Sequence, residues 1–261
     1  MLMVHDLLRD MAREIVRKES PKDPGKWSRL WYHKDVCDVL RKHKGTENIE
    51  GLSLKLDRDN IASFKTKAFE ALESLGLLEL NYVELIGSYV YISGELRWLC
   101  WEGIPLKFIL DNFNLENLVA LDMKYSNLRQ VWKQPKALEK LKFLDLNYSH
   151  YLTHTPVFLF LPNLDKLVLA DCKRLCEVHH SIEHLHELVL VNLKDCEILK
   201  NLPKDFYKLK SLETLILSGC STIDQLDRDL GELVSLTILL AEHTAIKSLP
   251  VAIGRLVKLK E

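Results

Sequence analysis

One pattern of eight apolar or small residues occurs three times in succession, at a spacing of 24 residues. The copies begin at Leu164, Leu188 and Leu212, and each opens with Leu-x-x-(Leu/Val)-x-Leu-x-x-Cys-x-x-(Leu/Ile). Three further apolar positions follow at offsets 14, 18 and 21 from each start. Because one unit of this length cannot bury its own apolar positions, the repeat predicts a solenoid whose neighbouring units share a core.

Weaker copies of the pattern extend the repeat over most of the chain. They start at residues 49, 75, 96, 118, 141, 236 and 259, so successive units are 21 to 26 residues long. This period is typical of leucine-rich repeats. We therefore predict an α/β fold, a leucine-rich-repeat solenoid with a curved parallel sheet (a horseshoe), in which residues 46–261 form about nine repeats and the last is incomplete.

Side chains alternate along a strand, so offsets 3 and 5 of each unit point inward and offsets 2, 4 and 6 point outward, onto the concave face. Asp145 is one of the positions predicted to face outward. Apolar residues at such positions indicate a surface covered by a protein ligand; packing between neighbouring strands without a ligand is the alternative. The candidate protein-binding residues are Phe143, Lys166, Val168, Leu190, Asn192, Lys194, Thr214, Ile216, Ile238, Leu240 and Glu242.

Three cysteines, Cys172, Cys196 and Cys220, occupy offset 8 of the strongest copies. We interpret them as a buried ladder of small side chains, in preference to disulfide partners or metal ligands. Residue types that bind zinc do cluster nearby. Since the repeat commits Cys172 to the interior and places the others on the outer arc, we expect no metal site from Cys172, Cys176, His179, His180, His184 and His186.

The first 45 residues differ from the rest in charge and pattern. They carry 11 basic and 7 acidic side chains, whereas the whole chain has 36 and 37. Apolar residues at helical spacing predict an amphipathic helix over Asp6–Glu19. A second helix is predicted from Asp35, as its N-cap, to about His43, with Gly45 as the stop.

Several segments resemble, in content and order, plant intracellular immune receptors with a TIR domain, a nucleotide-binding (NB-ARC) switch domain and leucine-rich repeats, the TIR-NB-LRR family. These segments are Val4-His5-Asp6-Leu7-Leu8-Arg9-Asp10-Met11, Ser28-Arg29-Leu30-Trp31, Ile49-Glu50-Gly51-Leu52, Leu96-Arg97-Trp98-Leu99-Cys100-Trp101 and Leu217-Ser218-Gly219-Cys220. The resemblance implies that residues 1–45 are the C-terminal remnant of the winged-helix part of the nucleotide-binding domain. It also implies that the chain is a fragment without the TIR domain.

The resemblance further implies that His5 and Asp6 match a Met-His-Asp motif, in which the histidine contacts the phosphates of ADP and the aspartate supports the resting state. Val4 replaces the usual methionine. The phosphate-binding loop of such domains is absent, because Gly25-Lys26 is followed by Trp27 instead of Ser or Thr. We therefore expect no cofactor, neither ADP nor ATP, for this chain and a non-functional His5-Asp6 site.

No spacing of nucleophiles, bases or carboxylates matches a catalytic motif, so no enzymatic activity is expected. The near-neutral net charge of −1 argues against a nucleic-acid partner, and no apolar run approaches the ~20 residues of a membrane span. The expected partner is a protein: a pathogen effector or the receptor's own nucleotide-binding domain. The expected location is cytoplasmic or nucleo-cytoplasmic. The alternative function is a generic intracellular repeat scaffold or signalling adaptor without a nucleotide switch.

Overall fold

The computed structural model describes residues 6–260, so the predicted site residue His5 lies outside the described residues. Within that range the chain forms two α-helices and twelve short strands, together with short 3₁₀ turns. The helices are α1 (Asp6–Glu19) and α2 (His33–Lys42). The strands are β1 (Arg29–Leu30), β2 (Gly51–Lys55), β3 (Ala62–Lys65), β4 (Leu77–Asn81), β5 (Val83–Ile86), β6 (Trp98–Glu102), β7 (Ala120–Asp122), β8 (Phe143–Asp145), β9 (Lys166–Val168), β10 (Leu190–Asn192), β11 (Thr214–Ile216) and β12 (Ile238–Leu240).

The chain divides into two compact units, residues 1–99 with 112–115 and residues 100–111 with 116–261. In the first unit, β2 pairs in parallel with β1 on one side and β4 on the other. β3 and β5 form a separate parallel pair. The facing side chains Leu52 and Leu78 are at most 2 % exposed, and Leu54 and Leu80 are fully buried. The alternation predicted from the sequence therefore holds in these strands.

The predicted boundary at residue 45 does not coincide with the division between the compact units, which falls near residue 99. Arg29–Leu30 pairs with Gly51–Leu52, and α2 packs against β2. The segment that precedes residue 45 thus contributes a strand to the same sheet as the first repeats. The assignment of residues 1–45 to a remnant of the nucleotide-binding domain stays a prediction.

α1 has the predicted bounds, and α2 ends where it was expected to end but starts earlier. It begins at His33, so Asp35 lies inside the first turn, where a carboxylate interacts favourably with the helix dipole. The helix ends at Lys42, and its C-cap residue His43 has a left-handed backbone (φ 52°). Gly45 is not the residue that caps the helix. Its lack of a side chain leaves room for Leu72, with which a Cβ at this position would collide.

No residue of α1 is buried. The apolar side of the helix is exposed to 55–65 % at Leu7, Leu8, Met11 and Ile15. The end of the helix is fixed to the first unit, because the Glu19 carboxylate accepts hydrogen bonds from the backbone N–H (2.6 Å) and hydroxyl (2.7 Å) of Ser28.

Neither helix described in residues 6–260 is long and apolar enough to cross a membrane.

In the second unit, β7 to β12 pair in parallel, each with the next in the chain. The central residues of β7 to β11 are register partners in turn, and all are fully buried: Leu121, Leu144, Leu167, Val191 and Leu215. The prediction that offset 3 forms a continuous interior row is confirmed for the units of β7 to β11, whereas Leu239 of β12 is partly exposed. This part of the molecule is a leucine-rich-repeat solenoid.

Candidate protein-binding face

The outward positions of β8 to β12 form two adjacent rows. The register places Phe143, Lys166, Leu190, Thr214 and Ile238 in the first row. The second row contains Asp145, Val168, Asn192, Ile216 and Leu240. The structure thus brings most of the predicted binding residues together on one face. Lys194 and Glu242 each lie two residues beyond a strand of this face, and both are exposed.

The C-terminal part of this face is apolar. Five side chains, which we call the apolar stripe, lie on neighbouring strands and are each partly exposed: Val168, Leu190, Ile216, Ile238 and Leu240. Charged side chains border the stripe, with Lys166 exposed on one side and Lys194 and Glu242 on the other. An apolar centre with a charged border is the usual composition of a protein-binding surface.

Polar side chains fix the chain where it leaves the strands of this face. The Asn192 Oδ1 accepts a hydrogen bond from the backbone N–H of Lys194 (3.0 Å). The Ser218 hydroxyl donates to the Glu242 carboxylate of the next unit. This hydrogen bond lowers the pKa of Glu242, so the carboxylate stays ionised at the border of the stripe.

The N-terminal part of the same face is charged, and here the prediction for Asp145 is wrong: its side chain is buried instead of facing solvent. The Lys124 ammonium lies 3.0 Å from an Asp122 carboxylate oxygen and 3.2 Å from one of Asp145. The backbone N–H of Asn147 also donates to Asp145 (3.0 Å). Burial raises the pKa of Asp145, against the lowering effects of Asn147 and Lys124.

The residues around this charged cluster were missed in the sequence. Lys124 follows β7, and only the pairing of β7 with β8 brings it to Asp145. Burial alone would lower the pKa of Lys124, but its hydrogen bond to Asp122 and the charge of Asp145 raise it above the ordinary value. Lys124 therefore stays protonated at neutral pH, with its ammonium beside the two carboxylates.

A second missed feature is a column of left-handed residues at offset 7, just after the strands. In the second unit it contains Gly103, Tyr125, Tyr148, Asp171, Asp195, Gly219 and His243, with φ between 55° and 79°. The rings of Tyr125 and Tyr148 stack with centroids 4.6 Å apart and planes 3° from parallel. The recurrence of tyrosine at offset 7 in two successive units was the available signal.

The cysteine ladder has the predicted position. Cys172, Cys196 and Cys220 are fully buried, and each thiol donates to a backbone carbonyl of the preceding unit, at 3.3, 3.3 and 3.0 Å. Burial raises the pKa of Cys172 to about 12 and that of Cys220 to about 11. These thiols therefore stay protonated at neutral pH and hold the turns that follow the strands.

Cys176 is exposed, and its sulfur lies 3.8 Å from His154 Nε2. Among residues 6–260, no group of three or more histidine, cysteine or acidic side chains is arranged to hold a metal ion.

The sequence is similar to segments of much longer plant proteins. It is 35 % identical over 215 residues to the disease resistance protein RPV1 of Vitis rotundifolia, a match that covers 70 % of this chain and 15 % of that protein. It is 37 % identical over 195 residues to RPP2A of Arabidopsis thaliana, covering 71 % and 15 %. It is 31 % identical over 194 residues to the TMV resistance protein N of Nicotiana glutinosa, covering 74 % and 17 %.

Solved structures agree with the fold. A leucine-rich-repeat protein of Leptospira interrogans superposes with a TM-score of 0.65 at 21 % identity, covering 88 % of this chain and 56 % of that one. The Arabidopsis receptor kinase HAESA, solved in complex with the peptide hormone IDA and the co-receptor SERK1, gives a TM-score of 0.51 at 20 % identity, covering 82 % and 33 %.

No protein-family model matches the sequence. The matched segments span only 15–17 % of the three plant relatives named above. Over that span, identity of 31–37 % coincides with a repeat fold that the structure shows directly. The chain therefore belongs to the plant TIR-NB-LRR disease resistance family and corresponds to a leucine-rich-repeat segment of it.

Proposed function

We propose that this chain is a leucine-rich-repeat recognition module of a plant intracellular immune receptor. In this proposal the apolar stripe binds a protein, either a pathogen effector or the receptor's own nucleotide-binding domain. The observation that carries the proposal is the stripe itself, because five apolar side chains share one partly exposed strand face. Solvent-facing strand positions without a ligand are usually polar, as in a half-buried sheet.

The arrangement suits a protein better than a small molecule. The stripe extends over four strands, β9 to β12, so its occupant has to contact several repeats at once. Lys166, Lys194 and Glu242 at the border give both signs of charge, which orients a partner without dominating the affinity. The family relatives are named as disease resistance proteins, which supports recognition in defence as the context.

We also propose that this chain acts by binding alone, with no catalytic reaction and no bound ADP or ATP. The surroundings of Gly25, Lys26 and Asp6 support the proposed lack of a nucleotide. Gly25 is buried, and a Cβ there would collide with the carbonyl of Lys44, while Lys26 lies 3.6 Å from Asp23. Asp6 pairs with Arg9 at 2.9 Å on the surface of α1. A cytoplasmic or nucleo-cytoplasmic location follows from the proposed receptor class.

The test replaces Ile216 with Glu, which puts a charge in the centre of the stripe and keeps the inward side of β11 intact. The control is Ile198→Glu, the same substitution at an isoleucine that is 44 % exposed and lies off the strand face. Binding is measured by calorimetry to a nucleotide-binding domain of a family member, and by co-expression in leaves with effectors that elicit a response.

We expect Ile216→Glu to weaken binding at least tenfold, about 1.4 kcal/mol, and Ile198→Glu to leave it unchanged. Thermal unfolding followed by circular dichroism verifies that both variants fold. If Ile216→Glu, Ile238→Glu and Leu240→Glu all bind a recognised partner as well as the unaltered chain does, the stripe is not the binding surface.

A further inference from the structure

A pocket of about 480 Å³ is lined by residues of two consecutive repeats in the second unit. These residues lie at offsets 13 to 19 of the repeats that begin at Leu188 and Leu212. There the 3₁₀ turns Lys204–Lys208 and Arg228–Glu232 pack against each other. The apolar stripe lies at offsets 2 and 4, so the pocket is separate from it.

Two pairs of equivalent side chains line this pocket, because the repeat places them 24 residues apart. Lys204 and Arg228 share offset 16, and Asn201 and Gln225 share offset 13. All four residues are exposed. The pocket therefore presents two cations and two amides, each of which can donate hydrogen bonds to a ligand.

The two cations are not used by the protein itself. Within residues 6–260, neither Lys204 nor Arg228 has an ion pair or a side-chain hydrogen bond. The carboxylate next to Lys204 in the chain, that of Asp205, pairs instead with Lys208 at 2.7 Å. Lys208 also lies 2.6 Å from Glu183. The cation at offset 20 is therefore neutralised, whereas the two cations at offset 16 are left for a partner.

A buried hydroxyl adds a further donor. Tyr207 lines the pocket and is 3 % exposed, and its oxygen accepts a hydrogen bond from the backbone N–H of Asp227 (3.1 Å). Because this bond uses the oxygen as acceptor, the hydroxyl proton is available to a ligand. Burial, together with the charges of Asp227 and Asp229, raises the pKa of Tyr207, so the phenol is protonated at neutral pH.

The nearby carboxylates set a requirement for the ligand. Asp227 lines the pocket, with one oxygen accepting the backbone N–H of Asp229 (3.0 Å), and Asp229 is exposed. A ligand has to attract Lys204 and Arg228 strongly enough to outweigh these two negative charges. A phosphomonoester carries about −1.5 to −2 charge at pH 7 and three acceptor oxygens, whereas a carboxylate carries one charge and two oxygens. Both guanidinium and ammonium groups bind phosphate.

The pocket has room for more than a phosphate group. Its volume is within the range of pockets that hold drug-sized ligands. Leu202 and Leu226 also line it and are 8 % and 6 % exposed, so they offer apolar contact to atoms beside the charged group. These features favour a phosphate carried on a peptide segment over free phosphate.

We propose that this pocket binds a phosphorylated side chain of a protein partner, with the phosphate held by Lys204 and Arg228. Asn201, Gln225 and the Tyr207 hydroxyl donate hydrogen bonds to the bound segment. Since the pocket and the apolar stripe share no residue, this inference does not depend on the proposed function of the stripe.

The test uses the whole chain and three fluorescein-labelled peptides that differ only in the central residue, which is phosphoserine, glutamate or serine. Fluorescence anisotropy gives the affinities at low ionic strength and again at about 150 mM salt, which screens exposed charges. We expect phosphoserine to bind tightest, glutamate more weakly and serine not measurably. Inorganic phosphate is the competitor, and its dissociation constant should be at least about tenfold higher than that of the phosphoserine peptide.

Four variants locate the site. Lys204→Gln and Arg228→Gln should each weaken phosphoserine binding about two- to fivefold, the range of an exposed ion pair, and the double variant should bind phosphoserine and serine peptides alike. Asp229→Asn removes an opposing charge and should tighten binding about twofold. The matched control is Lys200→Gln, which removes an exposed lysine beside Asn201 that does not line the pocket, and it should have little effect.

Thermal unfolding followed by circular dichroism verifies that the variants fold, and if either Lys204→Gln or Arg228→Gln does not, the other decides. The proposal is overturned if phosphoserine and serine peptides bind equally, or if no phosphoserine binding is seen up to about 1 mM. It is also overturned if Lys200→Gln weakens binding as much as Lys204→Gln and Arg228→Gln do, since the attraction would then be unspecific. Inorganic phosphate that binds as tightly as the phosphoserine peptide would contradict a peptide ligand.

Discussion

The inward and outward sides of β9, β10 and β11 follow different rules. On the inward side, Leu167, Val191 and Leu215 are all aliphatic and fully buried. On the outward side, the next residues of the three strands, Val168, Asn192 and Ile216, are register partners and each is partly exposed. They differ in polarity, because Asn192 is polar and the other two are aliphatic. The inward row is fixed in chemical type because adjacent units have to close one core. The outward row does not have to close a core, so its composition depends on what the surface contacts.

The sharpest way to break this comparison is to place the same carboxylate on each side of β10. Val191→Asp buries a charge between Leu167 and Leu215, without a partner, and is expected to lower the free energy of unfolding by about 4 kcal/mol or more. Asn192→Asp changes the next residue of β10, whose side chain points outward. It keeps the side-chain oxygen that accepts the hydrogen bond from the Lys194 N–H, so the free energy of unfolding should change by less than about 0.5 kcal/mol.

Urea denaturation followed by circular dichroism measures both variants under the same conditions. A loss of similar size in the two chains would mean that the inward and outward positions are not distinguished as the register indicates.

The inward side could be predicted from the sequence because each unit has to bury apolar side chains at the same offsets. The spacing of Leu167, Val191 and Leu215 is enough to place them in one row, and the same holds for the cysteines at offset 8. Alternation along single strands also located the face of Val168 and Ile216. These features depend only on the period of the repeat and on strand geometry.

The features that could not be predicted from the sequence depend on contacts between units. Asp145 is buried because Lys124 and Asp122 of the preceding unit lie against it, and no periodicity encodes that neighbour. The end of α2 near His43 was predicted, but its cap was not, since a left-handed histidine stands where Gly45 was expected to stop the helix. The left-handed backbone of the column that contains Tyr125 was likewise seen only in the structure.

The charged, N-terminal part of the outward face gives a further test of the difference between inward and outward positions, because its outward residue Asp145 is buried. Lys124→Met removes the cation from Asp145 and leaves a buried carboxylate with the Asn147 N–H and the like charge of Asp122. At neutral pH we expect a loss of about 1–3 kcal/mol in the free energy of unfolding. The double variant Lys124→Met with Asp145→Asn is the control, and it should recover part of that loss.

The pH dependence gives an independent measure of this cluster. The pKa of Asp145 is already raised by burial, and loss of Lys124 raises it further. Between the unfolded and folded pKa values the folded chain binds more protons, so stability falls as the pH rises through this range. The deficit of Lys124→Met should therefore shrink as the pH falls toward the ordinary value of 3.8, below which both states are protonated. A deficit that is constant from neutral pH to that value would contradict the assignment.

The smallest expected effect compares two cysteines of neighbouring units. Cys196 is fully buried and its thiol donates to the Leu169 carbonyl at 3.3 Å, whereas Cys176 is exposed. Cys196→Ala removes a buried sulfur and leaves that carbonyl without the thiol donor, which should cost about 1 kcal/mol of unfolding free energy. Cys176→Ala should change it by less than about 0.5 kcal/mol. Equal urea midpoints for the two variants would show that the ladder does not stabilise the turns, and the inward row would then owe its stability to the aliphatic residues alone.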